Sequence, residues 1–139
     1  MAELRYACVR RPGPGVLREI ASLYREAGWW KSRDNLARLR RWVGGSHCFL
    51  LAKDGGLAVG MGRAISDQAS DGYIQDVFVR ASHRGQGVGA AIVRRLADRL
   101  RADGLGWVGL IAVPRSRRFY ERLGFSRMAG HDPMLLRQR

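Results

Sequence analysis

The hydrophobic positions of this chain change their period several times, and each change marks an expected element. Leu4, Tyr6 and Cys8, with a terminal Val9, mostly alternate, which predicts an opening strand over Glu3 to Arg10 before the Pro12-Gly13-Pro14-Gly15 break. Val16, Leu17, Ile20, Leu23 and Tyr24 then recur at helical spacing, with Gly28 placed to end the helix before Trp29 and Trp30. Leu36, Leu39 and Trp42 repeat every three residues among arginines, giving a second, shorter helix over Asp34 to Trp42. Cys48 to Lys53 and Leu57 to Ile65 flank Asp54-Gly55-Gly56, which is strong hairpin punctuation. Ser66 to Gly72 reads as a polar loop.

Tyr73 to Val79 is the clearest strand and Gly87 to Ala102 the clearest helix, where Val88, Ile92, Leu96 and Leu100 form an apolar stripe backed by Val93 and Ala97. Trp107 to Val113 predicts a further strand, Arg115 to Leu123 a short helix closed by Gly124, and Phe125 to Arg139 one or two final strands. A strand, helix and strand following an antiparallel hairpin make the class α/β with a mixed sheet.

Composition narrows this picture. A chain of 139 residues, 46% hydrophobic, is expected to form a single domain over residues 1–139; no linker, repeat or low-complexity tract divides it. Its longest apolar runs, Cys48 to Ala52 and Trp107 to Val113, fall far short of the roughly 20 residues a membrane helix needs. Met1 to Tyr6 lacks the basic start and apolar stretch of a secretory signal, so the expected location is cytoplasmic and no membrane partner is expected. Cys8 and Cys48, without a CxxC or Cys/His spacing, are expected to be reduced core residues. His47, His83 and His131 are scattered away from any carboxylate cluster, which gives a metal centre little support.

The formal charge of +13 raises nucleic-acid binding as a competing function. The cations are nearly all arginine, Lys31 and Lys53 being the only lysines, and they lie on many segments without a stacking motif or recognition helix. A nucleic-acid partner is therefore not the expected one.

The chemistry-bearing motif is Arg84-Gly85-Gln86-Gly87-Val88-Gly89, where the chain leaves its clearest strand and begins its clearest helix. Free backbone N–H groups and the positive end of the helix dipole point into such a loop, and glycine lets the backbone approach an anion. A phosphate is the natural ligand. The Gly-Lys-Ser/Thr of a nucleotide P-loop is missing. Gly85, Gly87 and Ala90 do fit the dinucleotide pattern G-x-G-x-x-A, but no acidic residue stands in Gly109 to Val113 to hold a ribose.

Arg84-x-x-Gly87-x-Gly89, after Asp76-Val77-Phe78-Val79, resembles the acetyl-CoA motif of the GCN5-related N-acetyltransferase superfamily. Arg118 to Phe125 resembles that family's late helix ending in Tyr-x-x-Leu-Gly-Phe. The resemblance implies an α/β fold whose mixed central sheet has a splayed pair of parallel strands, flanked by about four helices. It implies acetyl-CoA as co-substrate, with main-chain groups of Phe78 and Val79 pairing with the pantetheine arm. Arg84, Gly85, Gln86, Gly87, Val88, Gly89 and Ala90 would hold the pyrophosphate. Val113-Pro114-Arg115-Ser116 stands where relatives often have a cofactor-binding Asn, a departure from the pattern.

The implied activity is transfer of an acetyl group to a primary amine of a small molecule or protein, by direct attack in a ternary complex. A lysine-like amine, with a pKa of about 10.4, is almost wholly protonated at neutral pH and needs a base. Tyr120 is the implied proton donor to the coenzyme thiolate. Alternation along the strand puts Asp76 on a face with Ile74 and Phe78 unless a bulge intervenes, and Asp76 is either the base or a residue that fixes a loop. Trp29 and Trp30 lie where the family builds its acceptor pocket; the competing use is one indole in the core and one at a homodimer contact. A family member that only senses acyl-CoA remains an alternative.

Overall fold

The chain folds in the order β1 (Leu4–Val9), α1 (Pro14–Glu26), α2 (Leu36–Gly45), β2 (Cys48–Asp54), β3 (Leu57–Ser66), β4 (Asp71–Val79), a 3-10 turn (Ala81–His83), α3 (Val88–Ala102), β5 (Trp107–Leu110) and α4 (Arg117–Glu121). This computed structural model describes residues 3–137; positions 1, 2, 138 and 139, the ends of the expected domain, lie outside the described residues. The five strands form one sheet in the order β1-β2-β3-β4-β5, antiparallel except for the parallel pair β4 and β5.

Alternation along β2 explains the layering. Phe49 and Leu51 join an apolar cluster with Leu17, Ile20 and Leu23 of α1 and with Leu39 and Val43 of α2. Cys48, Leu50 and Ala52 join a second cluster with Val88, Ile92, Leu96 and Leu100 of α3. The sheet is thus covered on both faces, which is why β2 reads as a continuous apolar run. Each fully buried aliphatic side chain contributes roughly 1.5–3 kcal/mol.

Local signals set the helix ends. Pro14 opens α1, where its missing N–H costs nothing, and Gly28, at φ 79°, reverses the chain after it. Asn35 caps α2 by accepting the Arg38 N–H at 2.8 Å. The α3 stripe sits close to the sheet because Gly62 offers no side chain: a Cβ there would lie 2.7 Å from Ile92 Cγ2.

Three expectations are corrected. Cys8 and Cys48 are bonded to each other, and only Cys48 is buried. They sit on neighbouring antiparallel strands with Cα atoms 5.5 Å apart, a juxtaposition that strand pairing creates and sequence spacing does not reveal. Residues 125–137 contain no strand, since the chain turns at Met128 to His131 instead of pairing with the free edge of β5, leaving Met134, Leu135 and Leu136 at least 90% exposed. β5 itself ends at Leu110, three residues short of the apolar run.

The histidines are also less isolated than their spacing indicated. His47 is buried and its ring joins Ser66 Oγ and Asp103 Oδ2, each at 2.7 Å, while His83 meets Asp54 Oδ2 at 2.8 Å. The first contact ties the start of β2 to the end of α3, and it holds the Asp103 carboxyl below its usual range, with Arg99 helping.

The bridge between Cys8 and Cys48 closes a loop of 40 residues in the unfolded chain. Cys8→Ser is expected to lower unfolding stability by about 2–4 kcal/mol under non-reducing conditions, measured by urea denaturation, and to have little effect once both proteins are reduced. Equal midpoints under both conditions would show that the bridge does not contribute.

Candidate functional site

The site is prepared by a divergence of two strands. β4 pairs with β5 only where Asp71 to Ile74 face Trp107 to Leu110. Among the described residues no strand lies beside that edge of β4 from Gln75 to Val79, which leaves it open to a ligand apart from the Val79 carbonyl, held by Arg84.

The other edge shows why the strands part. Arg63 faces Gln75 and Met61 faces Phe78, so Gly62 alone stands opposite both Asp76 and Val77. This is a β-bulge, and such bulges bend a strand and increase its twist. Asp76 takes the extra residue's conformation at φ 57°, a left-handed geometry that Asp tolerates better than most residues. The bulge intervenes in the alternation: Ile74, Val77 and Val79 pack toward α3, while Asp76 and Phe78 turn toward α1 and α2.

On that side the Asp76 carboxylate is held by two donors. Tyr24 donates its hydroxyl at 2.7 Å and Arg63 donates Nε–H at 2.8 Å, both to Oδ2. The Tyr24 oxygen in turn accepts Trp42 Nε1–H at 3.2 Å. Burial first, then the neighbouring carboxylate, pushes the Tyr24 phenol far above its usual range, so it remains a neutral donor. Asp76 is therefore the centre of a network that joins β4 to β3, α1 and, through Tyr24, α2.

An aromatic row extends from this network toward the end of β4. Trp30 packs on Trp42 at 6.1 Å between ring centroids, Trp42 on Tyr24 at 5.4 Å, Tyr24 on Trp29 at 6.4 Å and Trp29 on Phe78 at 5.9 Å. Trp29 is 39% exposed. Trp30 is half-buried beneath the Arg25 guanidinium, 5.0 Å from the ring. The two tryptophans thus stand at different points of one wall, with Trp29 alone beside Phe78.

The glycine loop follows directly. Gly85 and Gly87 have φ 75° and 81°, conformations natural to glycine. The first hydrogen bond of α3 runs from Ala91 N–H to the Gly87 carbonyl at 3.0 Å, and no side chain caps the helix. The N–H groups of Val88, Gly89 and Ala90 are left free by helix geometry and carry the positive end of its dipole. Arg84 folds back over Phe78, 5.6 Å from the ring, and donates Nε–H to the Val79 carbonyl at 3.1 Å. Gln86 is exposed at the turn.

Residues that sequence reading did not single out hold this loop. Arg80 donates Nε–H to the Ala58 carbonyl at 2.7 Å and pairs with Glu26 at 3.3 Å, and Glu26 also accepts the Ala81 N–H at 3.1 Å. His83 fastens the next turn to Asp54. Glu26 and Arg80 are 54 residues apart, so no local pattern points to the pair.

Tyr120 reaches the same end of the molecule through its neighbour. A Cβ on Gly89 would lie 3.5 Å from Phe119 Cζ and 3.6 Å from Val79 Cγ2, so α4 packs at the junction of β4 and α3. Tyr120 lies edge-on to Phe119 and Phe125, and partial burial raises its phenol pKa.

Residues 16–125 match the model of the acetyltransferase (GNAT) family. The chain belongs to this family. GCN5-related N-acetyltransferase 2, chloroplastic, of Arabidopsis thaliana is 40% identical over 67 residues, covering 48% of this chain and 26% of that protein. Serotonin N-acetyltransferase 2, chloroplastic, of Oryza sativa subsp. japonica is 31% identical over 123 residues, covering 85% of this chain and 60% of that protein. This chain therefore spans only part of the curated relatives it matches. A GNAT family acetyltransferase structure from Streptococcus pneumoniae superposes with a TM-score of 0.78, covering 100% of this chain and 99% of that one at 22% identity. The GNAT fold accounts for the mixed sheet and the parallel pair β4 and β5 that the sequence resemblance implied. Among the described residues, no helix is long and apolar enough to cross a membrane.

If Asp76 unifies this side of the GNAT sheet, its partners should be energetically coupled. Asp76→Ala is expected to cost about 2–3 kcal/mol because it strands Arg63 and the Tyr24 hydroxyl. A urea-denaturation cycle with Tyr24→Phe should give a coupling of about 1–2 kcal/mol; strict additivity would contradict the network.

Proposed function

We propose that this protein is an N-acetyltransferase that moves an acetyl group from acetyl-CoA to a primary amine in a ternary complex. The observation that carries the reading is the open edge of β4 from Gln75 to Val79 running into the uncapped N-terminus of α3. That arrangement offers backbone partners to an amide-containing arm and free N–H groups to a pyrophosphate.

In this reading Phe78 and Val79 pair with the pantetheine arm, and Arg84 to Ala90 hold the pyrophosphate, with Gly87 bringing the backbone close to the anion. Acetyl-CoA, when bound, supplies the thioester. Tyr120 donates its proton to the sulfur as the carbon–sulfur bond breaks and the carbon–nitrogen bond forms. A tyrosine phenol carries its proton at physiological pH, as a donor must, and partial burial, which raises the Tyr120 pKa, holds that proton until the thiolate forms beside it. Trp29, beside Phe78, forms the acceptor wall nearest the donor arm, and Trp30 forms a more distant part of it.

Asp76 is better suited to orienting this wall than to removing a proton directly, because Arg63 neutralises it and Tyr24 occupies the same oxygen. The amine's proton leaves through water.

Calorimetric titration with acetyl-CoA tests the proposal, and absence of binding at millimolar concentration would refute it. Gly87→Ala is expected to weaken binding about tenfold, because an alanine at φ 81° costs about 1–2 kcal/mol. Tyr120→Phe should lower kcat on the order of 100-fold while leaving the KM for acetyl-CoA within about twofold. In the wild type, activity limited by Tyr120 ionisation should persist above the ordinary tyrosine range near pH 10 and fall only at higher pH. That alkaline limb should vanish in Tyr120→Phe.

A further inference from the structure

The surface beyond the aromatic wall is strongly one-signed. Between Trp29 and Trp42 the chain carries Lys31, Arg33, Arg38, Arg40 and Arg41 but only one acid, Asp34. The Asp34 carboxylate is already engaged by the Lys31 N–H at 2.8 Å and by Arg38 at 3.3 Å. Arg41 is exposed and makes no ion pair among the described residues.

Two of these cations stand together beside Trp42. Arg38 and Arg41 line a shallow, open depression of about 310 Å³ whose third lining residue is Trp42. The Trp42 indole N–H is bonded to Tyr24, and Tyr24 to Asp76, so two hydrogen bonds of 3.2 and 2.7 Å connect Trp42 to the bulge of β4. The negative charge nearest the wall is cancelled within that chain, since Arg63 pairs with Asp76. A polycationic amine approaching here meets like charge, and the nearby carboxylates of Asp34 and Asp76 are already paired.

We propose that the acceptor is a primary amine that also bears an anionic group, a phosphate or a carboxylate, which Arg41 and Arg38 hold above Trp42 while the amine points along the wall toward Trp29 and Phe78. The proposal rests on the acetyltransferase reading above and names the substrate class of that site. Arg41 provides the unpaired charge, and Arg38, positioned by Asp34, provides a second set of donors suited to oxyanions. Attraction between exposed charges is screened by salt, so the preference is strongest at low ionic strength.

Ring-to-ring steps of 5.4, 6.4 and 5.9 Å separate Trp42 from Phe78, so the test compares matched long acceptors: 6-amino-1-hexanol with 6-aminohexyl phosphate, and hexylamine with 6-aminohexanoate, at fixed acetyl-CoA. The expected result is a kcat/KM at least tenfold higher for the anionic member of a pair, falling toward the neutral value as salt is raised. The phosphate and carboxylate pairs identify which anion is preferred. Arg41→Ala should reduce the ratio at least fivefold, chiefly through KM, and Arg41→Lys should restore part of it. Arg101→Ala, which removes one exposed charge from α3 on the opposite face of the sheet, should leave the ratio unchanged.

Neutral amines turned over as well as their anionic partners, or an equal loss of the ratio in Arg101→Ala, would overturn the inference while leaving the acetyltransferase reading intact. Binding of 6-aminohexyl phosphate, followed calorimetrically with CoA present, provides a readout without turnover. Wild-type binding lost in Arg41→Ala supports the inference, and no binding, or binding indifferent to Arg41, refutes it. Failure of acetyl-CoA itself to bind refutes the broader reading instead.

Discussion

Strand β4 cannot keep one register and still serve both of its neighbours, and its bulge resolves that conflict. Gly62 opposes two residues, so the strand twists at Asp76 after pairing with β5 through Ile74. An added residue in a strand leaves backbone groups without a ladder partner, ordinarily a cost to folding. Here it opens the edge from Gln75 to Val79 and turns Asp76 into the Tyr24, Trp42 and Arg63 network. One irregularity therefore creates both the open edge and the support for the wall beside it.

Rigidity around the glycine loop has a different origin. Free N–H groups at a helix start bind well only if the loop does not have to be ordered at the same time. Glu26 and Arg80 fix the chain before the loop, His83 fixes its first turn to Asp54, and Phe119 packs against Gly89 just after it. The loop's own glycines contribute shape, and residues from α1, β2 and α4 hold that shape in place.

Much of the scaffold was legible because it follows local rules. The α3 stripe, the Gly28 stop and the Asp54-Gly55-Gly56 hairpin are consequences of periodicity and backbone freedom, and the Arg84 to Gly89 motif lies at the strand-to-helix junction that its residues predicted. Of the candidate site, the glycine loop alone was legible as a local motif. Asp76 stood out as an acid on a strand, but its partners Tyr24 and Arg63 come from other elements, and its bulge changes which face it occupies. The Cys8 to Cys48 bridge was hidden for the same reason, since strand pairing brings together residues 40 apart. The final apolar residues misled because hydrophobicity reports a capacity to pair, while Met134 to Leu136 remain exposed beside no strand.

The absence of a side chain at Gly62 divides the molecule into a half that resists change and a half that accepts it. Gly60 and Gly72 share its situation: a methyl group on any of the three would press on Ile92, Leu96 or Leu100 of α3. Across the sheet, α2 buries Leu39 and Val43 but turns its arginines to solvent, where replacing them disturbs no core contact. Variation can therefore accumulate on α2 without shifting α3 or the loop before it. A fold built this way can change the surface on its α2 side over evolutionary time while the half built on α3 stays fixed.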